Sequence, residues 1–404
     1  MSIEVRPCAD VEEYGAGLSA IWQFFGAEPD AEGLERFQRV LPLDRMHAAF
    51  EEGAVVGGGG AFVFSMSVPG GSLPCYGVTV VGVQPTHRRR GVLTRLMRAQ
   101  LDDARERGEP IAALWASEAP IYGRFGFGVA SLCGDLELAR ERTAFHAPYA
   151  RVAQARFVER DEALERFPAV YDRVAAETPG MLGRSRDWWE VRVLLDPEAR
   201  REGGGPHRRV LIELDDGEAA YAIYRHHPKW EDASAVSSIQ VIEALGTSPA
   251  ATSEIWRYLL DMDWTAWIKA QLLPIDHPLQ LLLAEPRRMR LRLSDGLWVR
   301  LVDVGAALSA RSYQGEGRLV LEVSDSFCPW NEGRWELADG SARRTDADSE
   351  LRLGVSELGS AYLGGFGFAD LERAGRLEEL TPGAVARADT LFRTNRKPWC
   401  PEIF

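Results

Sequence analysis

The sequence predicts an α+β (mixed α/β) chain, and three observations predict it. A β-branched run, Val78-Thr-Val-Val-Gly-Val83, stops at Pro85 and passes through Arg88-Arg-Arg-Gly91 straight into an amphipathic helix. The element order of the first third, strands followed by a helix and a further strand, returns between residues 210 and 272. The chain has 404 residues, 46% of them hydrophobic and 26% charged, which suffices for two or three buried cores.

Residues 1–150 hold the first expected domain. The stretch Val11–Phe25 reads as a helix, strands follow around Gly53–Met66, and the strand 78–83 leads to the arginine turn. Gly57–Gly60 is glycine-rich but is not followed by a helix start; it reads as conformational permissiveness with no phosphate role. In 92–107 the apolar residues Val92, Leu93, Leu96, Met97, Leu101 and Ala104 recur at helical spacing, and Arg95, Arg98, Asp102 and Asp103 take the opposite face. A basic turn at a helix start offers unpaired N–H groups and the positive end of the helix dipole to an anion. Gly91 lets that backbone approach a phosphate closely. The turn is neither G-x-x-x-x-G-K-[ST] nor G-x-G-x-x-G with a downstream acid, so a nucleoside triphosphate and a dinucleotide are both disfavoured. A different pyrophosphate is expected.

Downstream, 110–117 reads as a short buried strand ending at Ser117, and Glu118-Ala-Pro-Ile-Tyr122 as a brief helix before a Gly/Phe-rich exit, Gly123-Arg-Phe-Gly-Phe-Gly128. A second domain is expected over 151–290. It comprises a strand at Arg151–Phe157, a helix at Glu159–Glu177, a helix opening at Arg184–Trp189, strands at 210–214, 219–225 and 236–245, a helix at 252–261 and a strand at 266–272. After Leu245 the chain reads Gly246-Thr-Ser-Pro-Ala with no arginine, so this repeat lacks a pyrophosphate cradle and reads as structural. Residues 291–404 form the third domain. It opens with strands at 291–293 and 297–304 joined by an Asp295-Gly296 hairpin turn. A helix at 305–313, a meander through 319–323, 333–337 and 342–345, and closing helices near 355–362 and 382–393 follow. The last residues, Lys397-Pro-Trp-Cys-Pro-Glu-Ile-Phe404, are too apolar for a free tail and are expected to dock.

Five cysteines, scattered and without C-x-x-C, fit a reducing cytosol, and the seven histidines show no metal-ligand spacing, so a cytoplasmic protein without a metal is expected. No leader-like start and no run of 18 apolar residues is present, so neither secretion nor membrane spanning is expected. A net charge of −13 disfavours nucleic acid and suits a polycationic small molecule.

Arg-Arg-x-Gly after a Val-x-Val-x-Pro strand resembles motif A of the GNAT N-acetyltransferases. Pro85-Thr-His-Arg-Arg-Arg-Gly-Val-Leu93, Ala116–Gly128, Asp295-Gly-Leu-Trp-Val-Arg300 and Tyr362-Leu-Gly364 together resemble the Eis (enhanced intracellular survival) acetyltransferases over essentially the whole chain. That resemblance implies tandem GNAT-like domains followed by a sterol-carrier-like domain, with acetyl-CoA as cosubstrate and a homo-hexamer acetylating primary amines of aminoglycosides. It implies cofactor contacts from Val81, Gly82, Val83, Arg88, Arg89, Arg90, Gly91, Val92 and Ser117. It makes Tyr122 the general acid for the departing thiolate and the α-carboxylate of Phe404 the base. From the residues alone, aromatic packing for Tyr122 and plain apolar anchoring for the terminus stay open. Trp115 and Ile403 stand where mycobacterial members carry His and Glu, which puts the acceptor range in question; Glu28, Asp30 and Glu32 are acids that could compensate. Lysine side chains of a partner protein are an alternative substrate, and a non-catalytic acyl-CoA-binding scaffold is a second alternative.

Overall fold

The computed structural model describes residues 3–26 and 30–404. The chain falls into two units: Met1–Ser131 with Gly296–Asn395 and Glu402–Phe404, and Leu132–Asp295 with Arg396–Pro401. A domain boundary at 150 would place Leu132–Ala139 in the first unit. That strand instead hydrogen-bonds to Trp267–Pro274 and Arg292–Asp295 in the second.

The first unit is built on a seven-stranded sheet. In chain order its strands are β1 (Glu4–Pro7), β2 (Met46–Glu51), β3 (Ala54–Val68), β4 (Gly71–Val83), β5 (Ile111–Trp115) and β6 (Gly128–Val129). Leu297–Leu301 inserts antiparallel between β5 and β6. The expected hairpin at Asp295-Gly296 is therefore not formed. Arg292–Asp295, largely exposed, takes the edge of the other unit's sheet, whereas Leu297–Leu301 is buried at every position and takes an interior place in this one, between β5 and β6. A run buried on both faces is driven into a sheet interior, which a two-stranded hairpin cannot supply.

Helix α1 (Val11–Trp22) starts where the Asp10 carboxylate accepts the Glu13 N–H, with Glu12 and Glu13 favouring the dipole. It lies on glycines. A Cβ on Gly58 would come within 2.4 Å of the Gly17 carbonyl oxygen, and one on Gly82 within 2.7 Å of that of Ala20. The Gly57–Gly60 run is thus the interior of β3, and its glycines serve close helix–sheet approach, not conformational freedom. Helix α2 (Ala31–Gln38) follows, and α3 (Val92–Glu106) connects β4 to the parallel β5 with Val92, Leu96, Met97, Leu101 and Ala104 buried.

The remainder of this unit is a five-stranded sheet ordered Ser341–Arg344, Gly333–Ala338, Leu319–Ser324, Leu351–Gly354 and Leu377–Glu379. The first pairs form the expected meander, but Leu319–Ser324 and Leu351–Gly354 run parallel. Helices Val355–Tyr362 and Ala384–Phe392 sit close to expectation, with an unexpected Phe368–Arg373 between them. Helix Val355–Tyr362 rests against Leu297–Leu301 and β6; a Cβ on Gly128 would lie 1.8 Å from the Ser356 carbonyl oxygen.

The second unit carries the sheet Arg292–Asp295, Leu132–Ala139, Trp267–Pro274, Ser238–Gly246, Ala219–His227, Arg208–Glu213 and Ala155–Phe157. Helices Arg160–Glu177 and Pro249–Leu260 bury Phe167 and Trp256 completely, Phe167 stacking on Tyr221 at 4.2 Å. All five cysteines are buried, and none forms a disulfide among the described residues. Among the described residues no helix is long and apolar enough to cross a membrane.

Candidate active site

Strand β4 pairs with β5 only where Cys75–Gly77 meets Ile111–Ala113. Beyond Gly77 it continues to Val83 beside β3, while β5 is paired along its whole length with Leu297–Leu301. Two parallel strands that diverge this way open a cleft, and the edge of β4 facing it has no strand partner among the described residues. The divergence coincides with a bulge. Thr79 opposes Gly60 and Gly82 opposes Gly58, so Val80 and Val81 share one partner position. Val80 sits at φ 47°, an outlying conformation for a β-branched residue that costs of order 1–3 kcal/mol.

The cleft leads to a cavity of about 610 Å³. Its walls include Val81, Gly82, Val83, Arg88, Arg89, Gly91, Val92, Ser117 and Tyr122, so the structure brings nearly all the sequence-predicted contacts together. At one end stands the start of α3. Gly91, at φ 79°, is its N-cap and supplies no side-chain acceptor. The N–H groups of the first turn precede the ladder that Arg95 begins by donating to the Gly91 carbonyl, and they are left for an incoming anion. A Cβ on Gly91 would meet nothing within 4 Å, so the space beside it is open. Arg88 lies over the Phe24 ring, 4.7 Å from guanidinium to centroid.

Arg90 departs from expectation. It does not wall the cavity; its guanidinium pairs with both oxygens of Glu51, which also takes His87 Nε2 at 3.0 Å. The Arg90 hydrogen bond holds the Glu51 carboxyl below its usual range. Three successive side chains of a tight turn, with Arg89 at φ 61°, cannot all face one cavity, and Arg90 becomes the turn's tether.

Tyr122 ends the short helix α4 (Ala119–Tyr122) and is buried, its ring edge-on to Phe127 at 6.2 Å. Burial, with the Glu118 charge second, pushes its phenol above the usual value, so the hydroxyl is a proton donor at neutral pH. The exit after it is fixed sterically. Gly126, at φ 83°, leaves room for Arg300, which is fully buried, donates to the Phe125 carbonyl and pairs with Asp325 at 2.6 Å. A Cβ at Gly126 would fall 1.5 Å from Arg300 Nη1.

Phe404 is not among the cavity walls. Its ring packs on Phe64 and Phe62 of β3, at 5.1 and 6.3 Å between centroids. The tail leading to it is docked, with Trp399 and Cys400 buried and the Trp399 N–H donating to the Pro179 carbonyl. Of the acids considered as substitutes at the acceptor side, Glu28 lies outside the described residues. Asp30 caps α2 through the Gly33 N–H, and Glu32 pairs with Arg36. The residues that sequence reasoning missed are Val80, Phe24, Glu51 and the Phe62–Phe64 seat. None of them carries a local signal, because each acts through a strand register or a tertiary contact.

Residues 9–130 match the model of an acetyltransferase (GNAT) domain, 180–301 a second acetyltransferase (GNAT) domain, and 304–401 a sterol carrier protein domain. An uncharacterized N-acetyltransferase of Streptomyces avermitilis is 42% identical over 388 residues, 94% of each chain. The N-acetyltransferase Eis of Mycobacterium tuberculosis is 36% identical over 344 residues, covering 82% of this chain and 81% of that one. The crystal structure of Eis1 from Mycobacterium abscessus superposes with a TM-score of 0.88 at 34% identity, covering 99% of this chain and all of the other.

Proposed function

The chain belongs to the Eis family of GNAT N-acetyltransferases, and on that premise we propose that it transfers an acetyl group to primary amines of a small polycationic acceptor, aminoglycosides being the class that the resemblance suggests. Acetyl-CoA use follows from the GNAT fold, and the site fits that cosubstrate. An open, uncapped helix start beside two arginines suits a pyrophosphate, and an unpaired strand edge suits the amides of a pantetheine arm. When bound, acetyl-CoA supplies a thioester-activated acetyl group.

The chain's own residues then divide the work. The first-turn N–H groups of α3, with Arg88 and Arg89, would hold the phosphates, and the Val81–Val83 edge would orient the arm. Tyr122 would hold a proton at Oη for the departing sulfur, and the α-carboxylate of Phe404 would accept the proton that the amine loses. The observation that carries this reading is that a buried tyrosine kept in its protonated form shares one cavity with the open N-terminus of α3. The net charge of −13 supports a cationic acceptor. We extend the proposal to a cytoplasmic homo-hexamer, on the family resemblance and the cysteine usage.

The test is thiol release from acetyl-CoA with an aminoglycoside, a polyamine and a lysine peptide in parallel. The proposal expects release with the polycationic small molecules. Release with the peptide alone would replace it by a protein-lysine acetyltransferase, and release with none would leave a binding scaffold.

A further inference from the structure

The second unit repeats the strand divergence of the active site. Ser238–Gly246 and Trp267–Pro274 are parallel and pair only over Ser238–Val241 against Trp267–Ala270. Beyond that point they separate, and Leu272 adopts φ 57° at the irregularity. Between them lies a cavity of about 470 Å³ whose walls are mainly apolar, among them Val241, Leu245, Leu273 and Trp399. That volume lies in the range of small-molecule pockets.

The helix start at one end of this cleft offers fewer free donors to a phosphate than its counterpart in the first unit, although Arg396 and Lys397 also wall the cavity. The helix Pro249–Leu260 is capped by Ser248, whose hydroxyl accepts the Ala251 N–H; the Thr252 N–H goes to the Ser248 carbonyl, and Pro249 has no N–H to give. In the first unit the equivalent donors are left free at Gly91.

The other parts of an amide-binding cleft are present. The Leu272 carbonyl, on the diverging edge, accepts the indole N–H of Trp399, so this edge takes a hydrogen-bond donor from outside the sheet. His277 is 6% exposed and lines the cavity. Its Nδ1 accepts the Leu279 N–H at 3.2 Å, and its ring edges against Trp256. Burial holds this imidazole neutral, its pKa lowered to about 3, so the proton sits on Nε2, which meets no acceptor among the described residues. An unpaired donor in an apolar cleft costs free energy until a ligand accepts from it.

We propose that this cleft is a second, non-catalytic binding site for a linear secondary amide of the pantetheine type that carries no pyrophosphate, its carbonyl accepting from His277 Nε2 and its chain lying along the Ile242–Gly246 and Gln271–Leu273 edges. The inference is independent of the catalytic roles assigned to Tyr122 and Phe404. The full-length protein, labelled with 5-fluorotryptophan and saturated with coenzyme A to fill the first site, is titrated with reduced pantetheine and followed by fluorine NMR. Trp399→Phe identifies the Trp399 resonance. That resonance is expected to move with saturation at one pantetheine per chain. His277→Ala should weaken binding by tenfold or more, and Ala244→Trp, which fills the cleft, should abolish it. A Trp399 resonance that does not move, or binding undiminished in His277→Ala, overturns the proposal, and the second result does so even where the bulkier variant fails to fold.

Discussion

The rings of Phe404 and Phe64 pack edge to face with centroids 5.1 Å apart, which places the last residue of the chain against the aromatic side chains of β3. Phe62 adds a second edge contact at 6.3 Å. A residue held by such a seat is far less mobile than one on a free tail.

If that seat positions the charge, Phe404→Ala should lower turnover partially, by about tenfold, on the scale of an aromatic pair contributing roughly 0.5–1.5 kcal/mol. The measurement is kcat against KM for acetyl-CoA: a fall in kcat alone is expected, and a rise in KM alone would make the ring a cofactor contact.

Replacing Arg88 and Arg89 by Ala should raise KM for acetyl-CoA by tenfold or more and leave that for the amine nearly unchanged, because both residues wall the cavity beside the open helix start. Arg90→Ala should act differently. It releases Glu51 and His87 from the turn's tether, so its effect should include a lower thermal midpoint. Steady-state kinetics and melting curves on the two variants separate a ligand contact from a tether.

Gly126→Ala should destabilise the fold by about 3 kcal/mol or more, the scale for disrupting a buried ion pair. The added Cβ lands 1.5 Å from Arg300 Nη1 and displaces a guanidinium held by Asp325. Chemical denaturation of the variant is the check. A loss below 1 kcal/mol would mean that the Phe125–Gly128 exit can move aside.

Tyr122→Phe should cut turnover by about 10²-fold while coenzyme A still binds. The pH dependence follows from the phenol's raised pKa. The acid works while protonated, and its pKa lies above the ordinary value near 10. Wild-type kcat should therefore hold to at least pH 9 on the alkaline side; an alkaline limb centred near pH 8 would assign the acid to another group.

Stability should fall with acid from roughly pH 6.5 down to about 3. His277 and His207 are held neutral by burial, with pKa values lowered to about 3 and about 4. Across that window the unfolded chain binds protons that the folded chain refuses, so the contribution of both residues is present above the unfolded pKa and lost as the pH drops through it. His207→Asn and His277→Asn should each flatten the dependence of the melting temperature on pH.

The parts legible in the sequence were those written locally. The arginine turn, the helix after it, Tyr122 and the missing arginines after Leu245 lie in short contiguous motifs; α3 and β5 form within a few residues of their expected bounds, and β4 ends at Val83 as expected but begins at Gly71, seven residues before the expected start. The parts that were not legible depend on partners distant in the chain. Asp295-Gly296 has turn chemistry, yet Leu297–Leu301 is captured by β5 and β6 because its five positions are all buried. Nothing in Arg88–Arg90 says which arginine turns away; that is decided by Glu51, 39 residues earlier. Val80 gives no sign in sequence that it will adopt a strained φ, since the bulge arises from its register against Gly58–Gly60.

The most direct test of the catalytic account is the turnover of a protein whose Phe404 ends in a carboxamide, made by ligating a synthetic C-terminal segment, beside the identical ligated protein ending in the free acid. The change removes one charge and leaves the aromatic seat in place. The account predicts a fall in kcat of about 10²-fold or more with KM for acetyl-CoA and the melting temperature unchanged. A carboxamide protein that turns over within about twofold of the acid would contradict it and pass the role of base to another group.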